Sequence, residues 1–230
     1  MKKVVVLTGA GISAESGIKT FRDADGLWEG HDVMEVASPQ GFKNNPALVL
    51  DFYNQRRKQL FTVLPNAAHK ALADLEKAFD VQIITQNVDD LHERGGSTNI
   101  LHLHGELLKV KSMGNENDIK VWKHDLNIGD MCSNGHQLRP HIVWFGEQVP
   151  LLEKAIQITE HADSLIIIGT SMQVYPAASL IDFVPSLTPI FFVDPKPSVQ
   201  THQYQNLSII EKTAVKGVPD LVHNLIIKNA

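Results

Sequence analysis

Short apolar runs recur along the chain, each bounded by turn or polar residues: Val4–Leu7, Val81–Thr85, Ile142–Phe145, Leu165–Ile168, Ile190–Val193 and Leu207–Ile210. The runs richest in β-branched residues predict buried strands. Between them lie stretches of helical period: Ala47–Phe61, Asn66–Phe79, Leu151–His161, Ala177–Phe183 and Asp220–Ile227. Each follows a proline, at 46, 65, 150, 176 and 219, and proline before or inside the first turn is a helix-start signal. Strand alternating with helix predicts an α/β fold whose sheet is parallel and covered on both faces.

Two stretches interrupt that alternation. Residues 22–45 carry Gly, Asp, Asn and Pro punctuation without a convincing strand, and 109–140 is polar with weak periodicity. Both are expected to leave the main sheet and meet as a smaller module. The chain's 230 residues allow one domain with such an insertion. Its 43% hydrophobic content supplies a core that needs no disulfide or metal staple. A net charge of -5 argues against nucleic acid as a partner, since a polyanion requires a basic field. The lone Cys132 excludes a disulfide framework and an all-thiolate zinc site within one chain, and makes a cytoplasmic setting the expectation. Met1-Lys2-Lys3 before Val4–Leu7 imitates a signal peptide, but the run ends at Thr8-Gly9, short of the roughly 7–15 apolar residues required. No run approaches the roughly 20 apolar residues of a membrane span. The sequence specifies no oligomeric state.

Candidate chemistry collects just after the predicted strands. Val4–Leu7 leads into Thr8-Gly9-Ala10-Gly11-Ile12-Ser13-Ala14, a G-x-G-x-x-A turn expected to open a helix. Glycines there let backbone N–H groups approach a pyrophosphate, or simply allow tight packing without a ligand. A dehydrogenase would show a second strand ending in Asp or Glu about 20 residues later. This chain has TFRDADGLW over Thr20–Trp28 instead, which keeps the dinucleotide reading and weakens hydride transfer. Gln86-Asn87-Val88-Asp89-Asp90-Leu91-His92 follows Val81–Thr85, where open α/β sheets bind ligands, although Asn87 or Asp89 would also serve as a helix cap.

In His102-Leu103-His104-Gly105-Glu106 an extended backbone puts both histidines on one face, open to a metal or leaving one as a base. No third metal ligand has convincing spacing. Gly169-Thr170-Ser171 is a second phosphate- or ribose-ready turn, and Trp144-Phe145 reads as core or as groove. Tyr53 and Arg56 share a helix face at i and i+3. They form a carboxylate grip, or a half-buried tyrosine beside a solvated arginine.

Taken in order, GAGISAESGI, TFRDADGLW, TQNVDDLH, HLHGEL, VWFGE and GTSMQVYPA resemble the sirtuin family from Val4 to about Leu221. The resemblance implies an α/β fold with a Rossmann-like parallel sheet, helices on both faces, and a small module formed by two insertions. It implies a single domain over 1–230, with the core at 1–21, 65–108 and 141–230 and the module at about 22–64 and 109–140. NAD is the implied cosubstrate. Gly9, Ala10, Gly11, Ile12, Thr20, Phe21, Arg22 and Trp28 would surround its pyrophosphate and nicotinamide ribose. Gln86, Asn87, Val88 and Asp89 would line the nicotinamide and ribose region, and Gly169, Thr170 and Ser171 the adenosine side. Asp194, where the family commonly has Asn, would lie near the adenine ribose with Pro195 and Lys196, and Ala214 at the last contact.

In the implied chemistry the acyl-lysine carbonyl oxygen displaces nicotinamide. His104, the general base, then takes a proton from a ribose hydroxyl that attacks the imidate, with Asn87 and Asp89 also catalytic. Products are nicotinamide, free lysine and O-acyl-ADP-ribose, and the partners are acyl-lysine proteins or peptides. Val143–Glu147 and Met172–Tyr175 would flank an extended peptide, with Val143, Phe145 and Val174 in contact. Tyr53 and Arg56, with the small Ala24, look like the subgroup that removes malonyl and succinyl groups, and the pocket need not exclude acetyl.

The departure is the zinc site. Ser112 occupies the region of the family's first cysteine pair, and only Cys132 remains near the second, so zinc is expected to be absent. A mixed site of Cys132 and His136 with His124 or His141 has weak spacing; Trp122 and Leu126 would supply packing instead. The competing readings are mono-ADP-ribosyltransfer, and an NAD-cleaving module on the same fold.

Overall fold

The computed structural model describes residues 1–20, 27–199, 204 and 206–229. The chain opens on β1 (Lys3–Thr8), then a ribbon of β2 (Leu27–Trp28) and β3 (His31–Asp32). Helices α1 (Val33–Val36), α2 (Pro39–Asn44), α3 (Pro46–Leu60) and α4 (Ala67–Leu75) lead to β4 (Asp80–Thr85), α5 (Leu91–Gly95) and β5 (Ile100–His102). Next come β6 (Gly105–Ser112), β7 (Ile119–Val121), β8 (Leu138–Ile142) and α6 (Leu152–Thr159). The chain continues through β9 (Ser164–Ile168), β10 (Ile190–Val193), β11 (Leu207–Ile210) and α7 (Ala214–Asn229).

Six parallel strands form one Rossmann-like sheet in the order β11-β10-β9-β1-β4-β5. Successive side chains of a strand point to opposite faces, so the unbroken apolar run of β1 feeds two cores. Val4 and Val6 join Ile83, Ile166 and Ile168 beneath α4 and α7. Val5 and Leu7 join Ile84, Leu165 and Ile167 beneath α6 and the 3-10 segment Ala177–Phe183. A third cluster ties α1–α3 to the antiparallel sheet β7-β6-β8, through Val49, Tyr53, Leu107, Val110, Leu126, Leu138 and Trp144. Among the described residues no helix is long and apolar enough to cross a membrane.

α3 begins where Pro46 sits at its first turn and the Asn45 side chain accepts from Leu48 N. Its inner face carries two polar residues that hold the small sheet. Asn54 donates to Leu126 O (3.0 Å) and accepts from Leu126 N (2.8 Å), while Arg57 donates to Leu107 O and to Asn54 Oδ1. Burial lowers the Arg57 guanidinium to about 10.

Several expected elements differ. The strand expected at Ile142–Phe145 is β8, which ends at Ile142 and belongs to the small sheet; residues beyond it turn, with Glu147 N bonded to Trp144 O and Gly146 at φ 89°. The glycine turn opens no α-helix but two 3-10 turns, Ala10–Ile12 and Ala14–Ser16, because Gly17 at φ 103° stops the second after one turn. Ala177–Phe183 is likewise 3-10. α7 starts six residues before its expected first residue, with Pro219 inside; a proline that early forfeits one intrahelical bond. Within 22–45, β2, β3, α1 and α2 appear, all too short for a periodic signature.

Candidate active site

β1 and β9 lie side by side at the centre of the sheet, but from β1 the chain proceeds to β4 and β5 on one side, and from β9 to β10 and β11 on the other. Their following loops therefore diverge and open a crevice outside the carboxyl ends of the strands, the ligand position of open α/β sheets. A cleft of about 780 Å³ lies there. The glycine turns meet at its floor: Gly11 N donates to Gly169 O (2.8 Å) and Gly9 N to Ile168 O (3.0 Å). A Cβ on Gly11 would lie 2.6 Å from Gly169 Cα, and one on Gly9 would lie 2.8 Å from Thr170 Cβ. These glycines thus seat one turn against the other, and the same bareness opens the cleft to a pyrophosphate.

The loop after β4 crosses this floor, and the HLHGEL segment holds three of its carbonyls in succession. His104 Nδ1 pairs with Gln86 O (3.1 Å), His102 Nδ1 with Asn87 O (3.0 Å), and Leu107 N donates to Val88 O (2.8 Å). A carbonyl only accepts, so Nδ1 of His104 carries the proton and Nε2 keeps its lone pair. Burial lowers the His104 pKa, against the smaller opposing effect of the Gln86 carbonyl. His104 is thereby a neutral imidazole with a basic nitrogen. The two histidines do not act as a metal pair, since His102 Nε2 is taken by Glu93 Oε1 (2.7 Å) and no third ligand converges on them among the described residues.

Ser13 links the two loops: its hydroxyl donates to Asp89 Oδ2 (3.0 Å) and accepts from Asn87 Nδ2 (3.3 Å). Burial raises the Asp89 carboxyl to about 6, tempered by hydrogen bonds from Leu91 N and Ser13. Gln86 reaches across to Thr170 Oγ1 (3.1 Å). Asp194 is buried at the end of β10 and accepts from Lys196 N (2.8 Å). Below the floor, Thr8 Oγ1 donates to Thr85 Oγ1 and contacts His92 Nε2 (3.0 Å), so His92 of the loop motif is a support rather than a cleft group.

At the other end of the cleft, α3 presents Tyr53 and Arg56. Tyr53 accepts from Trp144 Nε1 (2.9 Å), and burial pushes its phenol far above the usual range. Arg56 lies 3.6 Å from Glu29 Oε1, while its buried Nε and Nη1 have no hydrogen-bond acceptor among the described residues. The expected aromatic pair divides: Trp144 is core, clamped beneath Arg139 at 3.7 Å, and Phe145 is exposed. Glu147 holds this corner by a two-point contact with Arg139 and by accepting from Trp144 N.

Among the sequence-predicted site residues, Gly9, Ala10, Gly11, Thr20, Trp28, Gln86, Asn87, Val88, Asp89, His104, Gly169, Thr170, Ser171, Asp194, Pro195, Lys196 and Ala214 line the cleft. Tyr53, Arg56, Val143, Phe145 and Val174 line it too. The Ile12 side chain turns into the core instead. Phe21, Arg22 and Ala24 lie outside the described residues. Ser13 and Glu29 were missed as site residues; Ser13 stands inside the motif GAGISAESGI, but its role depends on a partner 76 positions away, and the Trp144 bond to Tyr53 likewise joins residues 91 positions apart.

No three His, Cys, Asp or Glu side chains converge as a metal site among the described residues. Cys132 is buried and accepts from Ser112 Oγ (3.3 Å), so the residues here do not fit zinc, and the loop relies on Asn54, Leu126 and the Trp122 bond to Asp125 O.

A parallel sheet with glycine turns meeting at its switch point, and a neutral histidine above them, defines a dinucleotide-binding α/β enzyme. Residues 9–176 match the profile of the Sir2 family. A Helicobacter pylori protein named NAD-dependent protein deacylase is 62% identical over 226 residues, covering 98% of each chain. One of that name from Bacteroides thetaiotaomicron is 52% identical over 232 residues, 98% of this chain and 99% of its own. A crystal structure of a Sir2 homologue with NAD superposes with a TM-score of 0.89 at 40% identity, covering 100% of this chain and 91% of that one. The chain belongs to the Sir2 family.

Proposed function

We propose that this protein removes acyl groups from lysine side chains of proteins in an NAD-dependent reaction that consumes one water and yields nicotinamide, O-acyl-ADP-ribose and free lysine. The observation that carries this reading is His104 at the cleft, tautomer set by Gln86 O and Nε2 left basic. NAD, when bound, supplies the ribose carbon from which nicotinamide leaves and the hydroxyl that receives the acyl group. His104 Nε2 removes the proton from that hydroxyl. Asn87 and Asp89, joined through Ser13, orient the nicotinamide ribose, and the carboxylate of Asp89 favours a cationic ligand in a low-dielectric site. The paired glycine turns take the pyrophosphate, and Asp194 the adenine ribose.

Tyr53 and Arg56 read the far end of the acyl chain. Because Tyr53 oxygen accepts from Trp144, its own proton is left to donate, and the buried Nε and Nη1 of Arg56, with Glu29 no nearer than 3.6 Å, meet no hydrogen-bond acceptor among the described residues. A carboxylate answers both, which favours succinyl and malonyl over acetyl without excluding acetyl. The division into a Rossmann-like core and a module of about 22–64 and 109–140 belongs to the same proposal, supported by the apolar cluster joining α1–α3 to β6–β8. So does a cytoplasmic setting without nucleic acid, supported by one cysteine and a net charge of -5.

The test is mass spectrometry of one peptide carried as succinyl-lysine and as acetyl-lysine, with and without NAD. NAD-dependent acyl loss with O-acyl-ADP-ribose formation is expected, faster for succinyl. ADP-ribose attached to protein without acyl loss would replace this reading with ADP-ribosyltransfer.

A further inference from the structure

His102 is left over by the reaction just described, yet it is 9% exposed and both of its ring nitrogens meet acceptors. Nδ1 is 3.0 Å from Asn87 O, and Nε2 is 2.7 Å from Glu93 Oε1 on α5. A carbonyl and an ionised carboxylate only accept, so satisfying both contacts takes a proton on each nitrogen. A neutral ring would turn a lone pair toward one of the two oxygens.

The surrounding charges favour the cation. Glu93 is closest and Glu106 on β6 acts in the same direction; the His102 charge in turn tempers the burial-driven rise of Asp89, and His92 on α5 is held neutral, lowered well below its ordinary value by burial and by the charges of His69 and His102. Lys109 is paired with Glu106 at 2.6 Å. Burial alone would lower His102, but the Glu93 hydrogen bond and charge carry it above its ordinary value, whereas His104 two residues on is lowered. One motif therefore holds two histidines in opposite charge states, both bonded to consecutive carbonyls of one loop.

We propose that His102 and Glu93 form a positioning pair, in which Glu93 keeps His102 doubly protonated and the cation clamps the Asn87 carbonyl so that the Asn87 side chain faces the nicotinamide ribose. This rests on the reading of Asn87 as a group of the NAD site. Once His102 loses a proton, only one of the two contacts survives, and the carboxylate competes for the remaining N–H. The Asn87 carbonyl is then released.

The test compares the pH dependence of kcat and of KM for NAD in the wild type and in Glu93→Gln, with acetyl-lysine peptide. Glutamine still accepts from Nε2 but lacks the charge, and Glu93 is 41% exposed, so the fold tolerates the change. The expected result is an alkaline limb displaced downward by about one pH unit, so that loss of kcat grows roughly tenfold across the displaced interval. Nitrogen-15 NMR of the wild type should show both ring nitrogens of His102 protonated near neutral pH, a readout that needs no variant. A neutral His102 there, superimposed profiles, or an equal loss at every pH would each overturn the positioning pair. Asn87→Ala is the separate control: full activity in that variant would overturn the assignment of Asn87 itself.

Discussion

Replacing Asp89 by asparagine should stabilise the protein at neutral pH while damaging the reaction. The carboxyl is 6% exposed, accepts from Ser13 Oγ and Leu91 N, and is raised from 3.8 to about 6 by burial. Below about pH 4 it is neutral in folded and unfolded chains alike and has no effect on their balance. Between about pH 4 and 6 the unfolded chain ionises first, so folded stability declines as pH rises. Above about pH 6 the penalty is fully developed, about 3 kcal/mol at about 1.4 kcal/mol per pH unit. Asparagine removes the penalty but turns an N–H toward Ser13, which costs about 1 kcal/mol in rearranged hydrogen bonding. The net gain near pH 7.5 is therefore about 1–2 kcal/mol, and near pH 4 the variant should be equal or slightly less stable. Urea unfolding without NAD at both pH values measures this directly, and turnover with NAD should fall in the same variant. A variant that is less stable at both pH values, or a gap that does not change with pH, would refute the argument that an ionised Asp89 is held at a cost.

Arg56→Met should lower kcat/KM for succinyl-lysine about 10- to 100-fold, the worth of charge-assisted hydrogen bonds, and leave acetyl-lysine within about threefold. Equal losses would remove Arg56 as the carboxylate reader. Asn54→Ala should destabilise the protein by about 3 kcal/mol or more in urea unfolding, since it strands Leu126 N, Leu126 O and an Arg57 donor in the interior. Wild-type stability would mean that other contacts hold the 123–127 loop. His104→Tyr should abolish acyl loss from both peptides while thermal unfolding stays cooperative, and surviving turnover would exclude His104 as the base.

The main sheet was legible because parallel strands buried on both faces need unbroken apolar runs, and Val4–Leu7, Leu165–Ile168 and Ile190–Val193 show them in any context. Helix starts were legible at Pro46 and Asn66 for an equally local reason, since a cap is made within four residues. The residue types of the site could be read in motifs for the same cause: a turn that admits another backbone must be glycine. Polar reach was not local. Whether His102 or His104 is the neutral ring is set by Glu93, Asn87 O and Gln86 O; spacing alone displays the two histidines as equivalents, and only the family resemblance picked out His104. Ile142–Phe145 looks like a core strand because apolar content is the same whether a segment joins the main sheet or ends an antiparallel one; Gly105 and His104 decide by pairing with Ile142 and Val143. Local sequence determined which segments must be buried and which turns must be bare, through side-chain volume and backbone freedom. The charge states of the histidines, the cost of Asp89 and the burial of the Arg56 guanidinium beside Tyr53 and Glu29 arise only in the tertiary structure, where burial and distant partners set the electrostatics.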